Sequence, residues 1–93
     1  SVTELRKAKR IVEAIYQCRV AVDESPLDTD RRLLLIELLR ENGEPLLAGE
    51  MALQSRELDP NNGKLLDAAI RCLLEAGSND RAQELLNEAA TKN

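Results

Sequence analysis

The sequence lacks histidine, phenylalanine and tryptophan altogether, and its single aromatic residue is Tyr16. Without histidine, the chain has no side chain of the type that most often serves as a general base or a metal ligand. It also has no glycine-rich phosphate loop, since its four glycines stand singly along the chain. These absences predict a protein that is not an enzyme and that holds no cofactor and no metal.

The two cysteines, Cys18 and Cys72, are far apart in the sequence and have neither a Cys-x-x-Cys spacing nor a histidine partner. Zinc and redox sites normally use such arrangements, so we expect two buried thiols that pack as small apolar side chains. Free thiols are typical of reducing compartments, and no signal-peptide pattern opens the chain. The sequence therefore favours a cytoplasmic location. A start at Ser1 without methionine also suggests one part of a larger protein.

Long hydrophobic runs are missing as well. The longest, residues 33–36, is far shorter than the roughly 20 residues that span a bilayer. The formal net charge is −4, and an acidic chain is poorly suited to nucleic acid or to anionic membranes. The first ten residues are the exception, with four basic side chains and one acidic side chain. Such a run can contact RNA or a membrane, but we expect the solvated face of a helix.

The apolar residues that are present are mostly leucine, which occurs 17 times, and alanine, which occurs 11 times. Valine and isoleucine occur only four times each. Sheets favour β-branched and aromatic residues, whereas leucine and alanine are strong helix formers. The composition therefore predicts an all-α fold, and 93 residues allow one small domain.

The number of residues that separates Pro26 from Pro60 recurs along the chain as a fixed spacing. The same spacing separates Gly43 from Gly77, and it separates three successive alanines, namely Ala14, Ala48 and Ala82. Further identities at the same spacing are Ile36 and Ile70, Leu39 and Leu73, Glu41 and Glu75, and Glu50 and Glu84. A constant period of this length indicates a repeat architecture.

Local signals divide each period into two helices. Asp28-Thr29-Asp30 offers N-cap side chains, Asn42-Gly43 ends the helix that follows, Pro45 opens the next helix, and Pro60 ends it. The sequence predicts five antiparallel helices, at residues 3–24, 29–42, 45–58, 63–76 and 79–91. The apolar stripe of the fourth is predicted to be Leu66, Ala69, Ile70, Leu73 and Leu74.

The first predicted helix differs from the others because no glycine or proline interrupts it near Lys9. Thr3 is a candidate cap for it. Its predicted apolar stripe consists of Leu5, Ala8, Ile11, Val12, Ile15, Cys18 and Val22. It looks like the second helix of a repeat, extended backward to the place where a partner helix belongs.

A helix–turn–helix unit of this length resembles the tetratricopeptide repeat (TPR), whose second helix begins with a small residue and whose units end in proline. The string at 57–62 is very similar to the usual junction of that family. The resemblance covers two units, 29–62 and 63–93, and a half repeat with a long capping helix, 1–26. It implies a single TPR-like domain, a right-handed superhelix (α-solenoid) of about five antiparallel helices. Unlike typical members, this chain has no large aromatic residues at their usual places.

The resemblance implies a non-catalytic protein-protein interaction module or scaffold that binds a protein or peptide partner in a concave groove. By resemblance, the groove positions are Leu33, Glu37, Arg40, Lys64, Asp67, Arg71 and Leu74. Arg40 and Arg71 can each pair with a carboxylate of the partner, or with Glu37 and Asp67 on their own helices. The lysine–asparagine clamp that some members use for C-terminal carboxylates is not matched, which disfavours a chaperone-tail receptor.

Two alternatives remain open. Two and a half repeats are fewer than the three that a self-sufficient stack normally needs, so the chain is also a candidate for a self-association (dimerisation) domain and a homo-oligomer. A small secretion-system chaperone of the same repeat type is the other alternative. Neither requires nucleic acid or membrane insertion.

Overall fold

Helices begin and end where the local sequence signals place them. The computed structural model describes residues 1–91, and within this range it contains five helices and no strand. The helices are α1 (Val2–Glu24), α2 (Thr29–Glu41), α3 (Pro45–Leu58), α4 (Gly63–Glu75) and α5 (Asn79–Thr91). The all-α prediction is confirmed, and each boundary lies within one residue of its predicted place. The last predicted unit, 63–93, runs on into residues 92 and 93, which lie outside the described part.

The cap of α1 is Ser1, so the prediction of Thr3 was wrong. The Ser1 hydroxyl accepts a hydrogen bond from the backbone amide of Glu4 at 3.3 Å, and the Glu4 side chain reaches back to the N-terminal amine at 3.4 Å. This reciprocal arrangement satisfies donors that the first turn of a helix otherwise leaves unpaired. It adds one residue to the start of the predicted helix.

The first helix of each full unit ends on a glycine in the left-handed region. Gly43 has a φ of 78° and Gly77 has a φ of 80°. After each glycine, the next amide donates to the carbonyl five residues earlier, at 3.0 Å after Gly43 and 2.8 Å after Gly77. Glycine adopts this conformation without the steric penalty that a Cβ atom brings. The chain therefore turns in the same way at two points that are one sequence period apart.

The junctions between units repeat as closely. Ser25 and Asp59, which end α1 and α3, have φ/ψ values of −137°/72° and −143°/68°. Asp28 and Asn62, which cap α2 and α4, have values of −79°/99° and −83°/104°. Each cap accepts a hydrogen bond from an amide in the first turn of its helix. The period of the sequence is thus also a period of backbone geometry.

The helices pack mainly in chain order. Each helix contacts its neighbours in sequence, and the only other close backbone approach within residues 1–91 is between α2 and α4. The first helix therefore rests on α2 alone. The resulting body is elongated, with extents of 47 × 30 × 16 Å.

The core lies mainly among α2, α3 and α4, and α1 adds three buried side chains, Ile15, Cys18 and Val22. The largest fully buried members of the core are Leu35, Ile36, Leu39, Leu65 and Leu73. Burial of each such side chain contributes about 1.5–3 kcal/mol. Ala48 and Ala82 are fully buried, as expected for small residues where helices cross, whereas Ala14 on α1 is only half-buried.

Several sequence-predicted core positions are wrong. Leu5, Ala8 and Val12 on α1 are exposed, because α2 is the one helix among the described residues that packs on α1 and the buried residues of α1 lie in its C-terminal half. On α4, Ala69 and Leu73 are buried as predicted, but Leu65 enters the core in place of the half-buried Leu66, and Leu74 is exposed. Successive side chains on a helix are about 100° apart, so a shift of one residue turns a side chain away from the core.

Candidate partner-binding cleft

An open cleft of about 330 Å³ lies between α2 and α4. Its lining residues are Leu33, Ile36, Glu37, Lys64, Asp67, Ala68 and Arg71. On each helix these residues recur at intervals of three and four, which places them on one face. Five of the seven predicted groove residues are therefore brought together, namely Leu33, Glu37, Lys64, Asp67 and Arg71.

The apolar part of the cleft comes from both helices. Leu33 and Ala68 are half-buried, and Ile36 is only 1% exposed because it also belongs to the core. Ile36 was not among the predicted groove residues. Its spacing of three residues from Leu33 was the signal that places it on the same face of α2.

Arg40 joins the two helices that form the cleft. Its guanidinium donates two hydrogen bonds to the carboxylate of Glu37, one turn earlier on α2. It also donates to Oε1 of Glu75 on α4 at 3.0 Å. The Arg40 side chain is only 22% exposed and is committed to these two acids. Of its two predicted roles, Arg40 therefore takes the pairing within the protein.

This pairing sets the charge state of Glu37. The hydrogen bond from Arg40 holds the pKa of Glu37 below its ordinary value, although partial burial opposes the effect. The positive charge of Arg71 lowers the pKa of Glu37 a little further. The same hydrogen bond raises the pKa of Arg40. Both groups are ionised at neutral pH, and their charges largely cancel.

The charged residues of α4 are placed differently. Lys64, Asp67 and Arg71 are exposed, and their side chains make no hydrogen bond or ion pair with any described residue. The predicted pairing of Asp67 with Arg71 is therefore not formed. Lys64 and Arg71 are seven residues apart, which is about 10 Å along a helix. Near each end of its α4 wall the cleft thus has a cation that forms no ion pair with a described residue, although the charge of Arg71 also acts on Glu37.

Leu74 is the predicted groove residue that lies apart from the cleft. It is 49% exposed and lies one turn beyond Arg71, near the C-terminus of α4. Arg40 lies beside the cleft, through its bond to Glu37, without lining it. The cleft is therefore lined by five of the seven predicted groove residues, without Arg40 and Leu74.

A larger and more open depression, of about 520 Å³, lies at the turn between α2 and α3. Its wall contains Pro45, Leu46, Leu47 and two acids, Glu44 and Glu50. Glu50 is already paired with Arg81 at 2.5 Å. Size alone would favour this depression. The smaller cleft is the better candidate because it combines apolar surface with unpaired charges that can select a ligand.

Other kinds of site are not found among the described residues. Within residues 1–91, no three His, Cys, Asp or Glu side chains are grouped so that they could hold a metal ion. In the same range, none of the helices has both the length and the hydrophobicity that crossing a bilayer requires.

The fold and the cleft together define a small all-helical protein with a mixed-charge surface groove. Comparisons with protein-family models, with curated proteins and with solved structures found no match for this chain.

Proposed function

We propose that this protein is a non-catalytic interaction module that binds a segment of a partner protein in the cleft between α2 and α4. The observation that carries the proposal is the pair of unpaired cations, Lys64 and Arg71, beside the apolar side chains of Leu33 and Ala68. Arg40, which lies beside the cleft, is by contrast already neutralised by acids of the protein itself.

The same proposal includes a TPR-like arrangement, in which the helices form a right-handed superhelix. Support comes from the backbone geometry that recurs with the sequence period at Gly43 and Gly77, and at Asp28 and Asn62. Packing in chain order, together with the added contact between α2 and α4, is also what stacked helical hairpins produce. In such an array the first helices of successive units form the binding face.

The ligand that suits this cleft is an amphipathic segment. One apolar side chain fits against Leu33 and Ala68, and acidic side chains about 10 Å apart reach Lys64 and Arg71. A hydrogen bond between a guanidinium and a carboxylate contributes about 1.5–3 kcal/mol. Asp67, which lies between the two cations in sequence, disfavours a ligand that is acidic throughout.

Peptide selection from a random library tests the proposal. Twelve-residue peptides from a display library are selected on the immobilised native protein, and their affinities are measured by isothermal titration calorimetry. We expect the selected peptides to carry an apolar residue flanked by Asp or Glu. Their Kd should rise about tenfold or more for Arg71→Glu and for Lys64→Glu.

Lys7→Glu is the matched control, because it reverses one exposed charge on α1, which does not line the cleft. It should leave the affinity of the selected peptides unchanged. Equal affinity for the native protein, Arg71→Glu and Lys64→Glu would exclude the cleft as the binding site. Failure to select any peptide would also count against the proposed function.

A further inference from the structure

The face of α4 that lines the cleft carries its charges in a regular order. Lys64, Asp67 and Arg71 alternate in sign, and Ala68 lies between the last two. The four residues are spaced as positions i, i+3, i+4 and i+7, which share one face of a helix. The three charged residues are exposed and make no ion pair with a described residue. A partner in the cleft therefore meets a plus–minus–plus pattern about 10 Å long.

We infer that the partner segment binds the cleft as an α-helix that lies along α4, an inference that rests on the proposed function. The first, fourth, fifth and eighth positions of that helix face the cleft. Its first and eighth positions are acidic and meet Lys64 and Arg71. Of the two positions between them, one is basic and meets Asp67, and the other is apolar and packs against Leu33 and Ala68.

The separation of the two cations distinguishes a helical partner from an extended one. Residues seven positions apart on a helix lie on nearly the same face and about 10.5 Å apart along the axis. In a strand, residues on one face are about 6.6 Å or about 13 Å apart, and residues separated by about 10 Å point to opposite faces. A helix therefore matches Lys64 and Arg71 from a single face, whereas a strand does not.

The walls of the cleft also favour a partner whose backbone is already hydrogen-bonded. Both walls are helices, which bond their own N–H and C=O groups internally. Among the described residues that line the cleft, every polar side chain is charged, and there is no Asn, Gln, Ser or Thr to bond a peptide backbone. An extended segment would leave amide groups unpaired wherever the cleft excludes water, which costs free energy at each group. A helix satisfies these groups within itself.

The packing of α2 and α4 suits a third helix. The two helices approach each other closely, and every residue that lines the cleft belongs to one of them. No other helix of the described chain therefore contributes to the cleft. Packed helices normally lie about 8–10 Å apart, so a helix seated in the groove between two neighbours contacts both of them. This is the mode in which an amphipathic helix binds through residues at i, i+3, i+4 and i+7.

Designed peptides of matched sequence test the inference. The bridged peptide carries the four cleft-facing residues in an Ala- and Gln-rich background. A hydrocarbon bridge joins its third and seventh positions, which point away from the cleft and hold the peptide helical. The basic and apolar residues are placed in both orders, and the tighter-binding peptide is used. The proline peptide has the same cleft-facing residues and no bridge, and proline at its sixth position breaks the helix.

Isothermal titration calorimetry compares the peptides on the native protein. We expect the Kd of the bridged peptide to be about tenfold or more below that of the proline peptide. Moving the second acidic residue of the bridged peptide from the eighth position to the sixth takes it off the cleft-facing side. This change should raise the Kd about tenfold or more, because Lys64 or Arg71 then loses its partner.

A charge exchange tests the order of the charges. Asp67→Lys should raise the Kd of the bridged peptide about tenfold or more, because it places two cations opposite each other. Replacing the basic residue of the peptide with Glu should restore binding to Asp67→Lys. Glu57→Lys is the matched control; Glu57 is exposed on α3 and does not line the cleft, so the same charge reversal should leave the Kd unchanged.

Three results would overturn the inference while leaving the proposed function in place. The first is a proline peptide that binds as tightly as the bridged peptide, with both affinities weakened by Arg71→Glu. The second is a bridged peptide that binds Asp67→Lys as tightly as the native protein. The third is cleft binding by library-selected peptides when neither designed helix binds. If no peptide, selected or designed, binds in a way that depends on Lys64 and Arg71, the proposed function itself fails.

Discussion

A Cβ atom on Gly49 of α3 would lie 3.2 Å from Cδ2 of Leu73 on α4. Gly49 is buried, it follows the fully buried Ala48, and Leu73 is itself fully buried. The two helices approach so closely here that the smallest residue fills the space. This contact lies within the aliphatic core. It packs α3 against α4, the helix that forms one side of the cleft.

Enlarging Gly49 should therefore destabilise the protein. We expect Gly49→Leu to lower the free energy of unfolding by about 1–3 kcal/mol, because the added atoms must displace Leu73 or push α3 and α4 apart. Urea denaturation followed by far-ultraviolet circular dichroism measures this change. Gly63→Ala is the control; nothing lies within 4 Å of a Cβ at Gly63, so this change should stabilise the protein by about 0.4–1 kcal/mol. Native stability in Gly49→Leu would mean that the helices are not in close contact.

The two turn glycines should behave alike. Gly43→Ala and Gly77→Ala should each lower the free energy of unfolding by about 1–2 kcal/mol, because alanine is strained at a φ near 80°. Asparagine tolerates this region better than alanine does, so Gly43→Asn should lower the free energy of unfolding by less than Gly43→Ala. The measurement is again urea denaturation. A loss of stability in only one of the two alanine variants would contradict the equivalence of the two turns.

The pairing of Arg40 with Glu37 predicts a dependence of stability on pH. The pKa of Glu37 is lower in the folded protein than its ordinary value of 4.5. Its contribution is therefore fully present above pH 4.5 and is lost as the pH falls through the lowered value. The native protein should lose more stability than Arg40→Gln on acidification through this range.

At neutral pH, Arg40→Gln should lower the free energy of unfolding by about 1 kcal/mol or less, because Glu37 is 42% exposed and solvent screens the pair. Urea denaturation at a series of pH values measures both effects. Arg81→Gln is a useful comparison, since it breaks the more exposed ion pair with Glu50. Parallel pH curves for the native protein and Arg40→Gln would show that the pairing has no energetic effect on folding.

The two thiols should react slowly in the folded state. Burial raises the pKa of Cys18 and the pKa of Cys72, so little of the reactive thiolate forms near neutral pH. Cys72 is 1% exposed and Cys18 is 7% exposed, so Cys72 should be the slower of the two. Alkylation by iodoacetamide at pH 8, followed by mass spectrometry of the peptides, tests this. Rapid labelling of both before unfolding in guanidinium would contradict the burial.

The helices were predictable because their limits depend on neighbouring residues. Pro45, Gly43 and Asp28 act within a single turn, and equivalent signals recur one sequence period later for the cap and for the glycine. Most of the cleft was predictable for a related reason, since residues at intervals of three and four share a helix face. The helix alone therefore brings together Lys64, Asp67 and Arg71, independently of how α4 packs against other helices.

The partners of charged residues were less predictable. Sequence spacing allowed Arg40 to pair with Glu37, and it allowed Arg71 to pair with Asp67 equally well. Only the first pair forms, and Glu75 on α4 completes it from 35 residues away. Such a contact depends on how two helices pack, and no local pattern describes it.

The scarcity of aromatic and β-branched residues, and the recurring turn signals, determined by themselves that this protein is helical and where each helix ends. The tertiary structure decided which leucines became core, because a helix can rotate about its axis until the best-fitting face is buried. It placed Leu65 in the core, left Leu5 in solvent and brought Gly49 against Leu73. It also decided which cations stay unpaired, because that depends on the distance between helices that are far apart in sequence.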